Sequence, residues 1–227
     1  MSNNVEIEVK VLLGEKINAE NLVQKLYAND PATHIHEESK QLNHYFLITW
    51  AFAKIKEQLQ SSLSPEQTEK LDLIIQHGTK HSLRTRKANE KLILVIKASA
   101  DESTSANGVA RLEREAEIPN MTIDQLDQIL LEAGFTYQSK WSRERVEYIY
   151  KDFHVCLDKN AGYGYLTEVE LVIQDKAEID TAKEKIRKEL DLLGLQELDQ
   201  NRLERMFAYY NQNRPEYYGS EKTFIIE

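Results

Sequence analysis

Apolar and polar residues alternate near the start of the chain, in the stretch VEIEVKVLL from Val5 to Leu13. Because successive side chains of a strand point to opposite faces, this pattern predicts a strand with one aliphatic and one charged face. Strand-like segments recur along the chain at 4–13, 40–48, 81–88, 91–98, 109–118, 137–150, 153–159 and 164–174. Short polar connections between several of them favour antiparallel pairing.

Apolar residues at helical spacing lie between and after these strands. The pattern predicts helices at 18–27, 122–133, 179–193 and about 199–211. Residues 50–77 are typical of two amphipathic helices, separated where Ser64 caps and Pro65 takes the first helical position. We expect the segment 49–80 to be a helical insertion that covers a site, contacts a partner, forms a homodimer contact or packs outside the sheet.

Eight strands with short antiparallel connections are a natural set for a closed barrel. The sequence therefore predicts an α+β fold: a closed eight-stranded antiparallel β-barrel with helices packed outside. No repeat or linker divides the chain, so we expect residues 1–227 to form a single domain with the insertion at about 49–80.

The composition, with 41% hydrophobic and 30% charged residues, is typical of a soluble globular protein. No apolar run approaches the roughly 18 residues of a membrane span, and no secretory signal opens the chain, so we expect a cytoplasmic protein. A formal net charge of -9 argues against non-specific binding of nucleic acid. The single cysteine, Cys156, excludes an internal disulfide, and its flanks HVCLD predict an apolar core position rather than a nucleophile.

The charged strand faces carry like charges two residues apart. These pairs are Glu6 with Glu8, Arg84 with Arg86, Arg143 with Arg145, and Glu168 with Glu170. Any one such face, taken alone, is most simply a solvent-exposed face. Together the four faces differ from solvent faces, because adjacent like charges repel each other unless an opposite charge or a ligand compensates them.

A barrel with these faces inward would hold many ions. Burying unpaired charge costs on the order of several kcal/mol, so such an interior must be wet and occupied. Arginines match phosphate oxygens in bidentate fashion, and clustered carboxylates suit Mg²⁺ or Mn²⁺. A polyphosphate that carries a metal ion needs both sets of residues.

These motifs resemble the CYTH superfamily, the triphosphate tunnel metalloenzymes, which includes class IV adenylyl cyclases, thiamine triphosphatases and inorganic triphosphatases. The Glu-x-Glu-x-Lys signature of that family is present as Glu6, Glu8 and Lys10. Further matches follow in the family's order: Arg84 and Arg86, Lys97, Glu115 and Glu117, Arg143 and Arg145, then Asp158, Glu168 and Glu170, and last Arg205. The chain departs from the pattern after LNHYF, where many members have Asp-Thr and this chain has LITWAF.

The resemblance implies roles for these residues. It implies that a triphosphate-containing small molecule is bound by Lys10, Arg84, Arg86, Lys97, Arg143, Arg145 and Arg205. It implies that Mg²⁺ or Mn²⁺ is bound by Glu6, Glu8, Asp158, Glu168 and Glu170. Lys10, Glu115 and Glu117 are the expected catalytic residues.

Hydrolysis of inorganic tripolyphosphate or an organic triphosphate such as thiamine triphosphate is the favoured reaction, because the charged interior needs no base-binding feature. The residues that could stack on a base are interpreted as packing or surface residues: His34, His36, Tyr45, Trp141 and Tyr163. The alternative is a class IV adenylyl cyclase that converts ATP to cyclic AMP and pyrophosphate. A noncatalytic polyphosphate-binding protein and a barrel with a solvated charged face and no site are the other hypotheses.

Overall fold

The structure is a computed structural model that describes residues 5–47, 79–99 and 109–226, with positions 57, 64–66, 68, 69 and 72. Its elements follow in the order β1 (Val5–Gly14), α1 (Lys16–Asn29), β2 (His34–Leu47), β3 (Thr79–Ala88), β4 (Lys91–Ser99), β5 (Val109–Glu117), α2 (Ile123–Glu132), β6 (Thr136–Tyr150), β7 (Phe153–Asn160), β8 (Gly164–Ile173), a short 3₁₀ helix (Lys176–Glu178), α3 (Ile179–Leu193) and α4 (Gln200–Tyr217). The predicted insertion at 49–80 falls almost wholly outside the described residues.

The eight strands follow the order β1-β5-β4-β3-β2-β6-β7-β8, and every pairing between them is antiparallel. The first strand has partners on both sides. It runs along β8 from Val5 to Gly14 and aligns with β5 through Glu6, Ile7 and Glu8. The prediction of an α+β fold with eight antiparallel strands and helices is confirmed.

The main hydrophobic core lies between the sheet and the helices α1, α2 and α3. Ile7 and Val9 of β1 are fully buried and belong to the same cluster as Leu22 and Leu26 of α1. Because side chains alternate along a strand, the even-numbered residues of β1 face the other side of the sheet. The aliphatic residues thus anchor the strand and fix the direction of its charged face.

A second, smaller core lies beneath α4. The indole ring of Trp141 stacks on Tyr210 with ring centroids 3.5 Å apart, and Tyr217 packs against Tyr210 and Phe224. The predicted end of this helix near residue 211 is wrong, because the helix continues to Tyr217. The polar run after Tyr210 hides the continuation from a hydrophobic pattern, while the buried Tyr217 stabilises it.

Strand β2 begins at His34, six residues before its predicted start at 40. Residues 34–38 are exposed, so they lack the apolar alternation that predicts a strand. Their backbone pairs instead with the far end of β6, where His34 aligns with Ile149. Pairing with a long neighbour, rather than burial, extends β2.

The beginning of β8 meets the end of β1 at a close backbone approach. Gly164 has a φ of 73°, and a Cβ atom added to it would lie 2.5 Å from the carbonyl oxygen of Gly14. Only glycine fits both this conformation and this contact. Next to this contact, Gly14 pairs with Tyr165, and the register shifts once between Gly14 and Leu12 before it aligns the charged residues.

Candidate functional site

Strands β1 and β8 place charged residues from the two ends of the fold side by side. Their register aligns Glu8 with Glu170 and Lys10 with Glu168. Lys10 Nζ lies 2.5 Å from Glu8 Oε1 and 3.5 Å from Glu168 Oε1. The two Glu-x-Glu motifs therefore form one acidic group that a single ammonium bridges.

Lys97 reaches the same acidic group from β4. Its Nζ lies 3.3 Å from Glu6 Oε2 and 3.8 Å from Glu8 Oε2. Since β5 lies between β4 and β1 in the strand order, these ion pairs join strands that are not neighbours. Lys97 consequently faces the same side of the sheet as Glu6 and Glu8, as the family pattern implies.

The two arginines of β6 converge on a buried aspartate of β7. Arg145 donates through Nε and Nη2 to the two carboxylate oxygens of Asp158, both at 2.7 Å, and Nη2 also donates to Glu168. Arg143 Nη1 donates to Asp158 Oδ2 at 2.8 Å, while its Nε donates to Gln41 at 2.8 Å. Asp158 is 0% exposed, and its carboxylate is paired with two guanidinium groups. In this arrangement it orients both arginines, and its metal role stays a prediction.

The two arginines of β3 lie on the same face with neutral partners from β2. Arg84 Nη1 donates to the Tyr45 hydroxyl at 2.8 Å, and Arg86 Nε donates to Asn43 at 3.1 Å. Arg86 also forms an ion pair with Glu115 at 2.8 Å. Burial would raise the pKa of Tyr45, but the Arg84 guanidinium lowers it. The side chains of Tyr45 and Asn43 thus orient the two guanidinium groups.

Two carboxylates of β8 differ in their affinity for a proton. Burial would raise the pKa of Glu168, but the cations Arg145 and Lys10 hold it well below its usual range. Burial raises the pKa of Glu170 well above its usual range, and the carboxylates of Glu6 and Glu168 raise it further. Glu170 therefore holds a proton more readily than Glu168 does.

The surroundings of Glu170 fit a bound cation. It is 8% exposed, and within the part of the chain that the structure describes its side chain has neither a hydrogen bond nor an ion pair. A buried carboxylate in this position is stabilised by a proton or by a metal ion. The Sγ of Cys156 and carboxylate oxygens of Glu168 and Glu170 all lie within 4.8 Å of one another. The expected metal group thus has a compact donor set.

The remaining predicted residues lie toward exposed positions. The side chain of Glu115 is 41% exposed in its ion pair with Arg86, and Glu117 is exposed at the end of β5. Arg205 is exposed on α4. The catalytic role of Glu115 and Glu117 and the phosphate-binding role of Arg205 stay predictions.

Cys156 lies beside Glu168 and Glu170, a position that sequence reasoning missed. The prediction of a buried core position is confirmed, with 1% exposure, although charged residues face Cys156 from both neighbouring strands. Cys156 aligns with Glu168 on the neighbouring strand and with Glu147 on the other side. Its spacing of two from Asp158 was the available signal, since residues two apart on a strand share a face.

The residues considered for base stacking have other contacts. As predicted, Trp141 is a packing residue, which stacks on Tyr210, and His34 is a surface residue. Tyr45 instead accepts a hydrogen bond from Arg84. Gln41 and Asn43 were not predicted to contribute, although they share a face with Tyr45 and contact Arg143 and Arg86.

Taken together, these features define an α+β protein whose eight-stranded antiparallel sheet has one strongly charged face. The family model for the CYTH domain matches residues 70–202, which is more than half of the chain. The chain therefore belongs to the CYTH family.

Solved structures share the fold at low sequence identity. A conserved hypothetical protein from Pyrococcus furiosus is 21% identical, with 85% of this chain and 91% of that chain covered and a TM-score of 0.59. The protein PH1819 from Pyrococcus horikoshii is also 21% identical, with 93% and 99% covered and a TM-score of 0.59. A protein from Vibrio parahaemolyticus described as a candidate adenylate cyclase is 14% identical, with 84% and 88% covered and a TM-score of 0.54.

The search of curated proteins finds no match to this chain. None of the helices that the structure describes is long and apolar enough to cross a membrane.

Proposed function

We propose that this protein is a metal-dependent triphosphatase whose sheet closes into a tunnel around the substrate. The observation that supports this function best is the meeting of basic and acidic rows on one face of the sheet. Lys10 and Arg145 both contact Glu168, so the phosphate-binding and metal-binding groups of the proposal are in direct contact. A triphosphate with a bound divalent cation carries both charges that such a face complements.

In this proposal the basic residues bind the triphosphate before any bond breaks. The phosphate-binding set is Lys10, Arg84, Arg86, Lys97, Arg143, Arg145 and Arg205. Asp158, Gln41 and Asn43 hold three of these arginines through hydrogen bonds, which orients their donors in advance. Such positioning and neutralisation supply most of the catalysis in phosphoryl transfer.

The acidic residues hold the metal in this proposal. Glu6, Glu8, Asp158, Glu168 and Glu170 are the proposed ligands, and carboxylate oxygens suit Mg²⁺ or Mn²⁺. When bound, the metal would polarise the phosphate oxygens and stabilise the charge that develops at phosphorus. Lys10 keeps its ammonium between Glu8 and Glu168, and Glu115 and Glu117 are the proposed carboxylates that accept a proton from water.

One assay panel tests the proposal. The purified protein is incubated with Mg²⁺ or Mn²⁺ and with tripolyphosphate, thiamine triphosphate or ATP, and phosphate, pyrophosphate and cyclic AMP are measured. Metal-dependent release of phosphate supports the triphosphatase. Cyclic AMP with pyrophosphate from ATP would assign the protein as a cyclase instead, and tight binding without turnover would assign it as a polyphosphate-binding protein.

A further inference from the structure

We propose that Cys156, Glu168 and Glu170 form a site for a thiophilic divalent cation such as Zn²⁺. The proposal deepens the proposed function, because Glu168 and Glu170 are also proposed ligands of the activating metal. The new element is the thiol, which none of the expected Mg²⁺ or Mn²⁺ chemistry requires.

The geometry brings the thiol and the carboxylates together on adjacent strands. Cys156 of β7 is the register partner of Glu168, and His154, two residues earlier, is the partner of Glu170. The three ligand atoms lie within 4.8 Å of one another, so a small ion between them can contact all three after minor rotation of the side chains. Cys156 and Glu170 are buried and Glu168 is half-buried, and all three lie on strands, which fixes their spacing.

The independent observation that points to a ligand is the carboxylate of Glu170. More than nine tenths of this residue is buried, and among the described residues its carboxylate has no hydrogen bond and no ion pair. Asp158, a buried carboxylate on the neighbouring strand β7, differs in this respect. Arg143 and Arg145 both donate hydrogen bonds to it. A cation placed between Glu170 and Cys156 would supply the missing partner.

The donor set favours a soft ion over a hard one. Zn²⁺ binds thiolate sulfur and carboxylate oxygen well in four-coordinate sites, whereas Mg²⁺ takes oxygen ligands almost exclusively. Three protein ligands leave one position for water or a phosphate oxygen. On binding, the Cys156 thiol loses its proton to the solvent and the sulfur–metal bond forms, so no oxidant or reductant is needed. Zn²⁺ at this position would compete with Mg²⁺ for Glu168 and Glu170.

Because the chain has one cysteine, a thiolate signal can come only from Cys156. We would titrate the full chain with Cd²⁺, a thiophilic probe with a cadmium–thiolate charge-transfer band in the ultraviolet, and measure Zn²⁺ affinity by competition with a chromophoric chelator. The variants are Cys156→Ser and Glu170→Gln. Glu144→Gln is the matched control, because Glu144 lies on β6 with a side chain that is 49% exposed and paired with Lys40.

We expect a saturable band with one Cd²⁺ per chain in the natural protein and in Glu144→Gln. Cys156→Ser should lose the band, and Glu170→Gln should keep it but bind Cd²⁺ and Zn²⁺ at least about tenfold more weakly, or about 1.4 kcal/mol. Absence of the band in the natural protein would overturn the proposal. Equal affinities of Glu170→Gln and Glu144→Gln would also overturn it, because the thiol alone would then explain the binding.

Circular dichroism of each variant checks that it is folded. If Cys156→Ser is not folded, the comparison of the Cd²⁺ and Zn²⁺ affinities of Glu170→Gln and Glu144→Gln tests the proposal without it. Hydrolysis with Mg²⁺ is measured separately. A Cd²⁺ band without hydrolysis would support the soft-metal site and refute the triphosphatase. Hydrolysis without a band would support the triphosphatase and refute the soft-metal site.

Discussion

Asp127 and Glu170 are both buried carboxylates, at 1% and 8% exposure, but their surroundings differ. Asp127, on α2, accepts hydrogen bonds from the hydroxyls of Thr85 at 2.6 Å and Tyr137 at 2.7 Å, and its Oδ2 lies 2.6 Å from His44 Nδ1. Glu170 has no such contact among the described residues. The hydrogen bonds of the fold thus satisfy the carboxylate of Asp127, whereas the carboxylate of Glu170 has no such partner among the described residues.

The pKa values follow this difference. Burial would raise the pKa of Asp127, but hydrogen bonds from His44, Thr85 and Tyr137 lower it. At Glu170, burial raises the pKa and nearby carboxylates raise it further. Satisfied buried networks stabilise one structure, whereas unsatisfied buried groups are typical of functional sites. The contrast separates a structural cluster from a candidate site within the same molecule.

The largest expected effect is that of Asp127→Ala. It should lower the free energy of unfolding by about 3 kcal/mol, because it leaves buried donors on three strands without their acceptor. Urea unfolding at neutral pH measures the change, and Asp124→Ala, at an exposed position of the same helix, is the control. A loss no greater than that of Asp124→Ala would mean that the Asp127 network does not stabilise the fold.

Glu168→Gln should have the next largest effect, on turnover rather than on binding. Removing one anionic ligand from the proposed metal group should lower kcat for tripolyphosphate by about 100-fold, while Kd for the substrate changes little. Steady-state kinetics and calorimetry on the same preparation separate the two quantities, with Glu144→Gln as the control. Full metal-dependent activity in Glu168→Gln would refute the assignment of Glu168 to the metal.

Arg84→Ala should weaken binding of tripolyphosphate, thiamine triphosphate and ATP alike, by about tenfold, because the guanidinium is proposed to contact the group they share. Arg187→Ala, which removes an exposed arginine of α3, should leave the three affinities unchanged. If Arg84→Ala weakened binding of only one substrate, its role would lie in recognising the rest of that molecule.

Glu170→Gln should produce the smallest change, and in the opposite direction from Asp127→Ala. Because the folded pKa of Glu170 is raised above its ordinary 4.5, its contribution to stability is full below that pH and is lost as pH rises through the folded pKa. Glutamine does not titrate, so without metal the variant should be more stable than the natural protein at pH 8, by about 1 kcal/mol, with a smaller difference at pH 5. Urea unfolding at the two pH values measures it, and a less stable variant at pH 8 would show that Glu170 has a favourable partner.

Local pattern predicted some elements and not the bounds of others, since the predicted end of α4 and the predicted start of β2 are wrong. Alternation in VEIEVKVLL predicted both the strand and the face of Glu6, Glu8 and Lys10, because the aliphatic positions must enter the core. The helix predicted at 122–133 is likewise confirmed as α2, and in the structure Thr122 and Gln125 form a capping box at its start.

What the sequence could not predict depends on pairing over long distances. The pairing of the strands places β1 between β5 and β8, and nothing in a single strand's pattern specifies that choice. Asp127 resembles any polar residue on an amphipathic helix until β2, β3 and β6 bring His44, Thr85 and Tyr137 to it. Cys156 was predicted as core for the same reason, since its apolar flanks were visible and its charged neighbours were not.

The pairing of β1 with β8 also limits when the protein can complete its fold. During synthesis Glu6 and Glu8 emerge long before their partner strand β8, which ends at Ile173. Contacts of such long sequence separation form late and slow the folding of β proteins. The acidic group is therefore assembled only after most of the chain exists, and until then β1 exposes an unpaired edge that a nascent chain must protect from other strands.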